Sequence, residues 1–256
     1  IAEAARKEAE SSAQAKITFL THMSHEIRTP MNGVLGMTEA LNFTNLNQEQ
    51  SELLETLEGS ARHLLALLND VLDFSKMDAG KLTLESVPVN FNLLAKNVIK
   101  SFKHIEKQQD IELVLTIDDD ITHSYFSDPT RLNQILNNLM SNAIKFTEQG
   151  TITLTIEKLA QAVDKQDNFD TIRIAVCDTG IGISPSKQQQ LFTPFIQADR
   201  DTTRKFGGTG LGLSICQEIV KAMGGKIKIR SQEDQGSTFY FDLTFKEAGF
   251  ECDTED

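Results

Sequence analysis

Five short stretches of this 256-residue chain hold side chains in patterns suited to chemistry. In the first, Ser24-His25-Glu26-Ile27-Arg28-Thr29-Pro30, a histidine stands beside a glutamate, with His22 and Thr29 within one helical turn. A solvent-facing imidazole is largely neutral at pH 7 and offers a nucleophilic nitrogen. Taken alone, such a histidine is far more often a surface residue than a nucleophile. In the second, Asn138 to Thr147, the residues Asp128, Arg131, Asn138, Asn142 and Lys145 recur at helical spacing on one face, and Leu132, Leu136, Leu139, Ala143 and Phe146 on another. Two carboxamides and an ammonium in a row suit phosphate oxygens and a hydrated Mg²⁺, which takes hard oxygen ligands and keeps several waters. The same row is equally a solvated face.

The third stretch, Cys177-Asp178-Thr179-Gly180-Ile181-Gly182-Ile183, follows the alternation Ile172, Ile174, Val176. Asp178 therefore emerges at a strand end, and the two glycines let a planar ligand approach the backbone closely. The amine of a base is one natural donor to that carboxylate; a plain turn is the other reading. The fourth, Arg204-Lys205-Phe206-Gly207-Gly208-Thr209-Gly210-Leu211-Gly212-Leu213-Ser214, is a glycine-dense loop running into a helix. Free amide groups at a helix start bind phosphate, and Arg204 and Lys205 can add charge. It lacks the Lys-Ser/Thr ending of a P-loop, and no Gly-x-Gly-x-x-Gly follows a first strand. The fifth, Gly236-Ser237-Thr238 before Phe239, would mean little alone.

These groups need rigid elements to hold them. Ile17, Leu20, Ser24, Ile27, Met31, Val34, Thr38 and Leu41 recur in steps of three and four within an unbroken helical stretch from Ala2 to about Phe43, which Pro30 tends to bend. Asn42 to Asn47 is a polar turn, after which Leu53, Leu57, Ala61, Leu64, Leu68, Val71 and Leu72 repeat the rhythm to Gly80. Two such helices make a hairpin whose apolar stripes are covered most simply by a second copy, giving a homodimeric four-helix bundle; packing of the hairpin on the next domain is the alternative. From Lys81 the pattern mixes alternation at Leu82 and Leu84 with helices at 91–107, 129–146, 185–191 and 210–222, and with strands at 111–117, 151–156, 171–177, 226–229 and 237–243. The polar segment 161–169 is a surface loop. This is an α/β layered domain.

Length, at roughly 150 residues per domain, points to one large or two smaller units. The composition is 39% hydrophobic and 24% charged, with 15 Phe and no Trp, which excludes a disordered or collagen-like class. No apolar run approaches the roughly 18 residues of a membrane span, so these residues are expected to be soluble. Asp and Glu outnumber Lys and Arg 37 to 25, a net charge of -12 that argues against nucleic acid as a partner. Three scattered cysteines, Cys177, Cys216 and Cys252, suit a reducing compartment. The start at Ile1 reads as a piece cut from a longer protein.

Together and in this order the motifs resemble the sensor histidine kinases of two-component signalling. The resemblance runs from about Ile17 to Phe245 and includes Leu191-Phe192-Thr193-Pro194-Phe195 as well. It implies a helical lead-in over 1–15, a dimerisation and histidine-phosphotransfer domain over 16–80, a catalytic ATP-binding domain of Bergerat type over 81–247, and a tail over 248–256. The wording around His25 and at Phe195-Ile196-Gln197-Ala198-Asp199 is most like the hybrid kinases, which carry a receiver domain downstream.

The resemblance implies that His25 attacks the γ-phosphoryl group of ATP with Glu26 as its base. Asn142 would carry Mg²⁺, Asn138 and Lys145 would meet phosphates, and Asp178 the adenine amine. Phe146, Gly180, Gly182, Ile183, Phe192, Arg204, Lys205, Gly208, Thr209, Gly210, Leu211, Gly212 and Thr238 complete the expected ATP site, with 192–208 as its lid. Gyrase-like ATPases of the same superfamily place a water-activating Glu where Asn138 stands, so hydrolysis is not expected here. The phosphoryl group would pass to a receiver-domain aspartate, of a response regulator or of a missing C-terminal region. Thr29 would help orient water for receiver dephosphorylation. A cytoplasmic fragment of a protein anchored in the inner or plasma membrane is the expected location. A non-catalytic scaffold and a dominant phosphatase are the rival readings.

Overall fold

A computed structural model describes residues 2–78, 82–106, 109–121, 123–159, 168–194, 196 and 210–251. The chain divides into two compact units, Ile1–Leu82 and Thr83–Asp256. Among the described residues no helix is long and apolar enough to cross a membrane.

The first unit is a hairpin of α1 (Ala2–Asn42) and α2 (Gln48–Asp78). α1 continues through Pro30 as one helix. Asn47 caps α2 reciprocally: its side chain accepts the Gln50 N–H at 2.8 Å while Gln50 accepts the Asn47 N–H at 3.0 Å. The heptad seam splits in two. Ser24, Met31 and Thr38 turn inward with Leu54, Ala61 and Leu72, whereas Ile27, Val34 and Leu41 stay exposed, alongside Leu53, Leu57 and Leu64. The row of Ser24, Met31 and Thr38 thus closes the hairpin and the apolar row of Ile27, Val34 and Leu41 is left on its surface.

The second unit is a mixed sheet with helices over one face. Its elements are β1 (Val87–Val89), α3 (Phe91–Glu106), β2 (Asp110–Ile117), β3 (His123–Ser127), α4 (Pro129–Phe146), β4 (Gln149–Lys158), β5 (Phe169–Asp178), α5 (Pro185–Gln188), α6 (Gly212–Ala222), β6 (Ile227–Gln232) and β7 (Gly236–Glu251). The strands run β1-β3-β7-β5-β4-β2, with β6 sharing the β3 side of the long β7. Among the described residues only β2 and β4 pair in parallel. Ile172, Ile174 and Val176 of β5, with Phe241 and Leu243 of β7, face the helices and meet Leu132, Leu136 and Leu139 of α4 in a core closed to water. Asp128 is not part of the polar row of α4 but its N-cap, accepting the N–H groups of Arg131 at 2.9 Å and Glu85 at 3.0 Å.

Several elements differ from expectation. The first strand lies at Val87–Val89 rather than at Leu82 and Leu84, and it includes Pro88, tolerated because β1 is an edge strand. β3 was not expected, since His-Ser-Tyr-Phe-Ser has little apolar alternation. α5 stops at Gln188, short of Leu191, and α6 begins at Gly212 because Leu211 is its N-cap.

Candidate functional site

Asp178 closes β5 and turns to the helix-covered face, where it is 6% exposed. Its Oδ1 accepts the backbone N–H of Gly180 at 3.0 Å and of Ser237 at 3.2 Å. Burial pushes its carboxyl pKa up, and the two N–H groups offset that only in part. The following loop is pinned on both sides. A Cβ on Gly180 would collide with the Phe146 carbonyl oxygen at the end of α4, and that oxygen accepts the Ile181 N–H at 3.2 Å. Gly182 has φ +64°, and a Cβ there would collide with the Gln232 carbonyl of β6, so only glycine fits. Ile183 donates its N–H to Ser231 Oγ at 2.8 Å.

α4 ends against this loop at Phe146, and its row runs back from there to the start of α6. Asn138 packs so closely on the start of α6 that a Cβ on Gly212 would collide with its Oδ1. Asn142 and Phe146 are half-buried further along, and Lys145 holds Nζ 5.1 Å from the Phe146 ring centroid. Burial lowers the Lys145 pKa. Gly210 has φ +70°, and the buried Leu211 offers its carbonyl to the Ile215 N–H at 2.9 Å and the Ser214 hydroxyl at 2.8 Å. Phe192, half-buried, follows α5. Arg204, Lys205, Gly208 and Thr209, like Phe195, lie outside the described residues. Among the described residues no cluster of three or more His, Cys, Asp or Glu could cage a metal. The amide oxygens of this row suit a metal ion held mainly by phosphates and water.

Thr238 does not belong to this group. Cys177 and Thr238 are register partners, so Thr238 lies on the face of the sheet opposite Asp178, with its hydroxyl donating to Cys177 Sγ at 3.3 Å. Ser237, directly across from Asp178 and 6% exposed, takes the place beside the carboxylate. Sequence reasoning also missed Ser231 and Thr147, whose Oγ1 is buried without a hydrogen bond against the Gly180 backbone. Only the register of β7 against β5, which the sequence does not carry, separates Ser237 from Thr238.

In the hairpin, His25, Glu26 and Thr29 are all exposed on α1, and Thr29 Oγ1 donates to the His25 carbonyl at 3.0 Å. Arg28 ties this turn to α2 by donating to Asn69 Oδ1 at 2.9 Å. Ser24 beneath it is buried.

Two family models match most of the chain: the "His Kinase A (phospho-acceptor) domain" over residues 15–80 and the "Histidine kinase-, DNA gyrase B-, and HSP90-like ATPase" over residues 127–247. The chain is 46% identical to the signal transduction histidine-protein kinase BarA of Escherichia coli (strain K12), over 93% of this chain and 26% of that protein. It is 42% identical to the autoinducer 2 sensor kinase/phosphatase LuxQ of Vibrio parahaemolyticus, over 95% of this chain and 28% of that protein. It thus spans about a quarter of the length of these relatives. Full-length ShkA, crystallised with AMPPNP, is similar at TM-score 0.71 and 35% identity, covering 90% of this chain and 46% of that one.

Proposed function

The chain belongs to the sensor histidine kinases, and on that premise we propose that it moves the γ-phosphoryl group of ATP to His25 and from there to an aspartate of a receiver domain. The observation that carries this is the buried carboxylate of Asp178, with no cation beside it among the described residues, whose partner Gly180 packs on the end of α4 while Asn138 of the same helix packs on Gly212 at the start of α6. Asp178 accepts the adenine amine; Gly180, Gly182 and Ile183 let the base lie against the backbone; Asn138, Lys145, Arg204, Lys205 and the 208–212 amides hold phosphates. Phe146 and Phe192 border the base and the lid. Asn142 offers an amide oxygen to Mg²⁺, which neutralises charge on the triphosphate when bound. Phosphoryl transfer is chiefly positioning and charge neutralisation, so these groups supply most of the catalysis. His25 is the acceptor, and Glu26, its neighbour on α1, takes its other ring proton as base. With an amide at Asn138 no carboxylate stands there to activate water.

The exposed row of Ile27, Val34, Leu41, Leu53, Leu57 and Leu64 is the homodimer face. The receiver, of a response regulator or of the whole hybrid protein, docks by His25, and the whole protein is membrane-anchored through segments outside this chain. A second activity, receiver dephosphorylation, is supported by Thr29, exposed one turn from His25; a relative, LuxQ, is named a kinase/phosphatase. Incubation with Mg²⁺ and γ-labelled ATP tests the main reading. Acid-labile, base-stable label is expected on the parent and on neither His25→Gln nor Asn142→Ala; an intact, ATP-binding parent that takes up no label would sink it.

A further inference from the structure

Asp178, Ser237 and Ser231 form one row across three neighbouring strands, β5, β7 and β6, as successive register partners. Their hydrogen bonds settle the direction of each proton. Ser231 Oγ accepts the Ile183 N–H at 2.8 Å and donates its single proton to the Gly236 carbonyl at 2.9 Å. That carbonyl cannot donate, and two oxygens so close with no proton between them would repel. The 2.9 Å contact between Ser231 Oγ and Ser237 Oγ must therefore take its proton from Ser237. Ser237 is left with lone pairs, and no proton, for anything beside Asp178. The Gln188 side chain donates to the Ser231 carbonyl at 3.0 Å and to the Ile183 carbonyl at 2.7 Å, bracing this arrangement from the helix that precedes residues 192–208.

We infer that Ser231 is a specificity-determining positioning residue: by fixing the Ser237 proton it makes the end of the base pocket an acceptor-only surface, which selects 6-amino over 6-oxo purine nucleotides. The inference rests on the nucleotide-site reading above. An amine, or a water that donates, satisfies both Asp178 and Ser237. A 6-oxo group puts an acceptor where Asp178 and Ser237 need the amine's protons, and the N1–H of such a base can reach them only if the ring shifts out of the position the amine holds, which is the strong form of discrimination.

The test compares binding and autophosphorylation with ATP and with inosine triphosphate, which has a 6-oxo group and an N1–H in place of the 6-amine and the bare N1, in the parent, Ser231→Ala, Ser231→Thr, Ser237→Ala and the double alanine variant. Ser231→Ala frees the Ser237 hydroxyl to rotate and donate. The ATP-to-inosine triphosphate ratio in kcat/KM should fall about ten-fold, the scale of one hydrogen bond, through KM rather than kcat. Ser231→Thr keeps the hydroxyl and should keep the ratio. The double variant should discriminate no worse than Ser237→Ala, because Ser231 acts through Ser237. An unchanged ratio in Ser231→Ala, or additive losses in the double variant, would overturn the role of Ser231. If Ser231→Ala does not fold, the ratio in Ser237→Ala decides: a parental ratio there overturns the proposal. Failure of the parent to bind ATP would instead remove the nucleotide-site reading itself.

Discussion

Asp170 and Asp178 stand at opposite ends of β5 on the same face of the sheet, and both are nearly closed to water, 4% and 6% exposed. Their partners separate them. Lys158 Nζ lies 2.6 Å from Asp170 Oδ2, and the buried Tyr125 hydroxyl donates to the same oxygen at 2.8 Å. Burial pushes the Asp170 carboxyl up, but the hydrogen bonds from Lys158 and Tyr125, with the Lys158 charge, hold it below the usual carboxylate range. Asp178 has two backbone N–H groups and no cation among the described residues, and its pKa moves the other way. A buried carboxylate whose burial is offset inside the fold is part of the frame. One whose burial is not offset, like Asp178, fits the adenine-binding role proposed for it, where a donor comes from outside the fold.

The contrast breaks most visibly at Asp178. Asp178→Asn keeps an acceptor for Gly180 and Ser237 but turns an amide N–H₂ toward the position proposed for the adenine amine. ATP affinity should fall roughly 100-fold or more, about 3 kcal/mol, by isothermal titration. Stability should hold or rise: a carboxyl whose folded pKa is raised contributes stability below its unfolded pKa of about 3.9 and loses it as pH climbs through the folded value. The gain in melting temperature should therefore be greatest at neutral pH and shrink in acid. A variant that melts much lower than the parent would show that Asp178 is structural after all.

Asp170→Asn should do the reverse. Removing the charge leaves Lys158 without its buried partner, and the cost should be about 2 kcal/mol of unfolding free energy at pH 7, with ATP affinity unchanged within two-fold. The depressed Asp170 pKa means that its stabilisation is present above about pH 4 and lost as pH falls through the folded value. Denaturant midpoints measured from neutral pH downward should thus converge for parent and variant in acid. Equal stability at pH 7 would end the comparison.

Much of this was readable in the chain. Pro129 and the 3.6-residue spacing from Leu132 to Ala143 marked α4 residue for residue, because a first-turn proline and an apolar stripe agree there, although the same spacing also draws Asp128, its cap, into the polar row. The alternation Ile172, Ile174, Val176 put Asp178 on the buried face. What could not be read was relative register. Whether Ser237 or Thr238 lies beside Asp178 depends on which residue of β7 pairs with it, and a one-residue shift exchanges the faces. The partner of Asp170 was hidden for the same reason: Lys158 and Tyr125 are brought to it by pairings across β4, β5, β7 and β3, and β3 itself has too few apolar residues to announce a strand. In the hairpin, spacing repeats equally in both rows, and apolarity alone would have picked the wrong one: the hydroxyl-bearing row of Ser24, Met31 and Thr38 faces α2, while the apolar row of Ile27, Val34 and Leu41 does not.

The smallest change sharpens the comparison by dividing the Asp170 site into its ammonium and its phenol. Tyr125→Phe removes one hydroxyl and leaves the ring where Phe91 stacks on it at 5.2 Å and Phe245 meets Phe91 edge-on at 5.0 Å. Packing is preserved, so the loss is that of one buried hydrogen bond to a charged group, about 1–2 kcal/mol. Lys158 still holds the carboxylate, so Asp170 should titrate at a higher pH than in the parent yet stay ionised at pH 7. The acid limb of the stability curve should then begin at higher pH in Tyr125→Phe, measured by denaturant midpoints, while ATP affinity stays at the parental value. An acid limb identical to the parent would mean that the ammonium alone sets the Asp170 charge. Loss of ATP binding would mean that the two ends of β5 are not independent, and the division between frame and site would have to be redrawn along the strand.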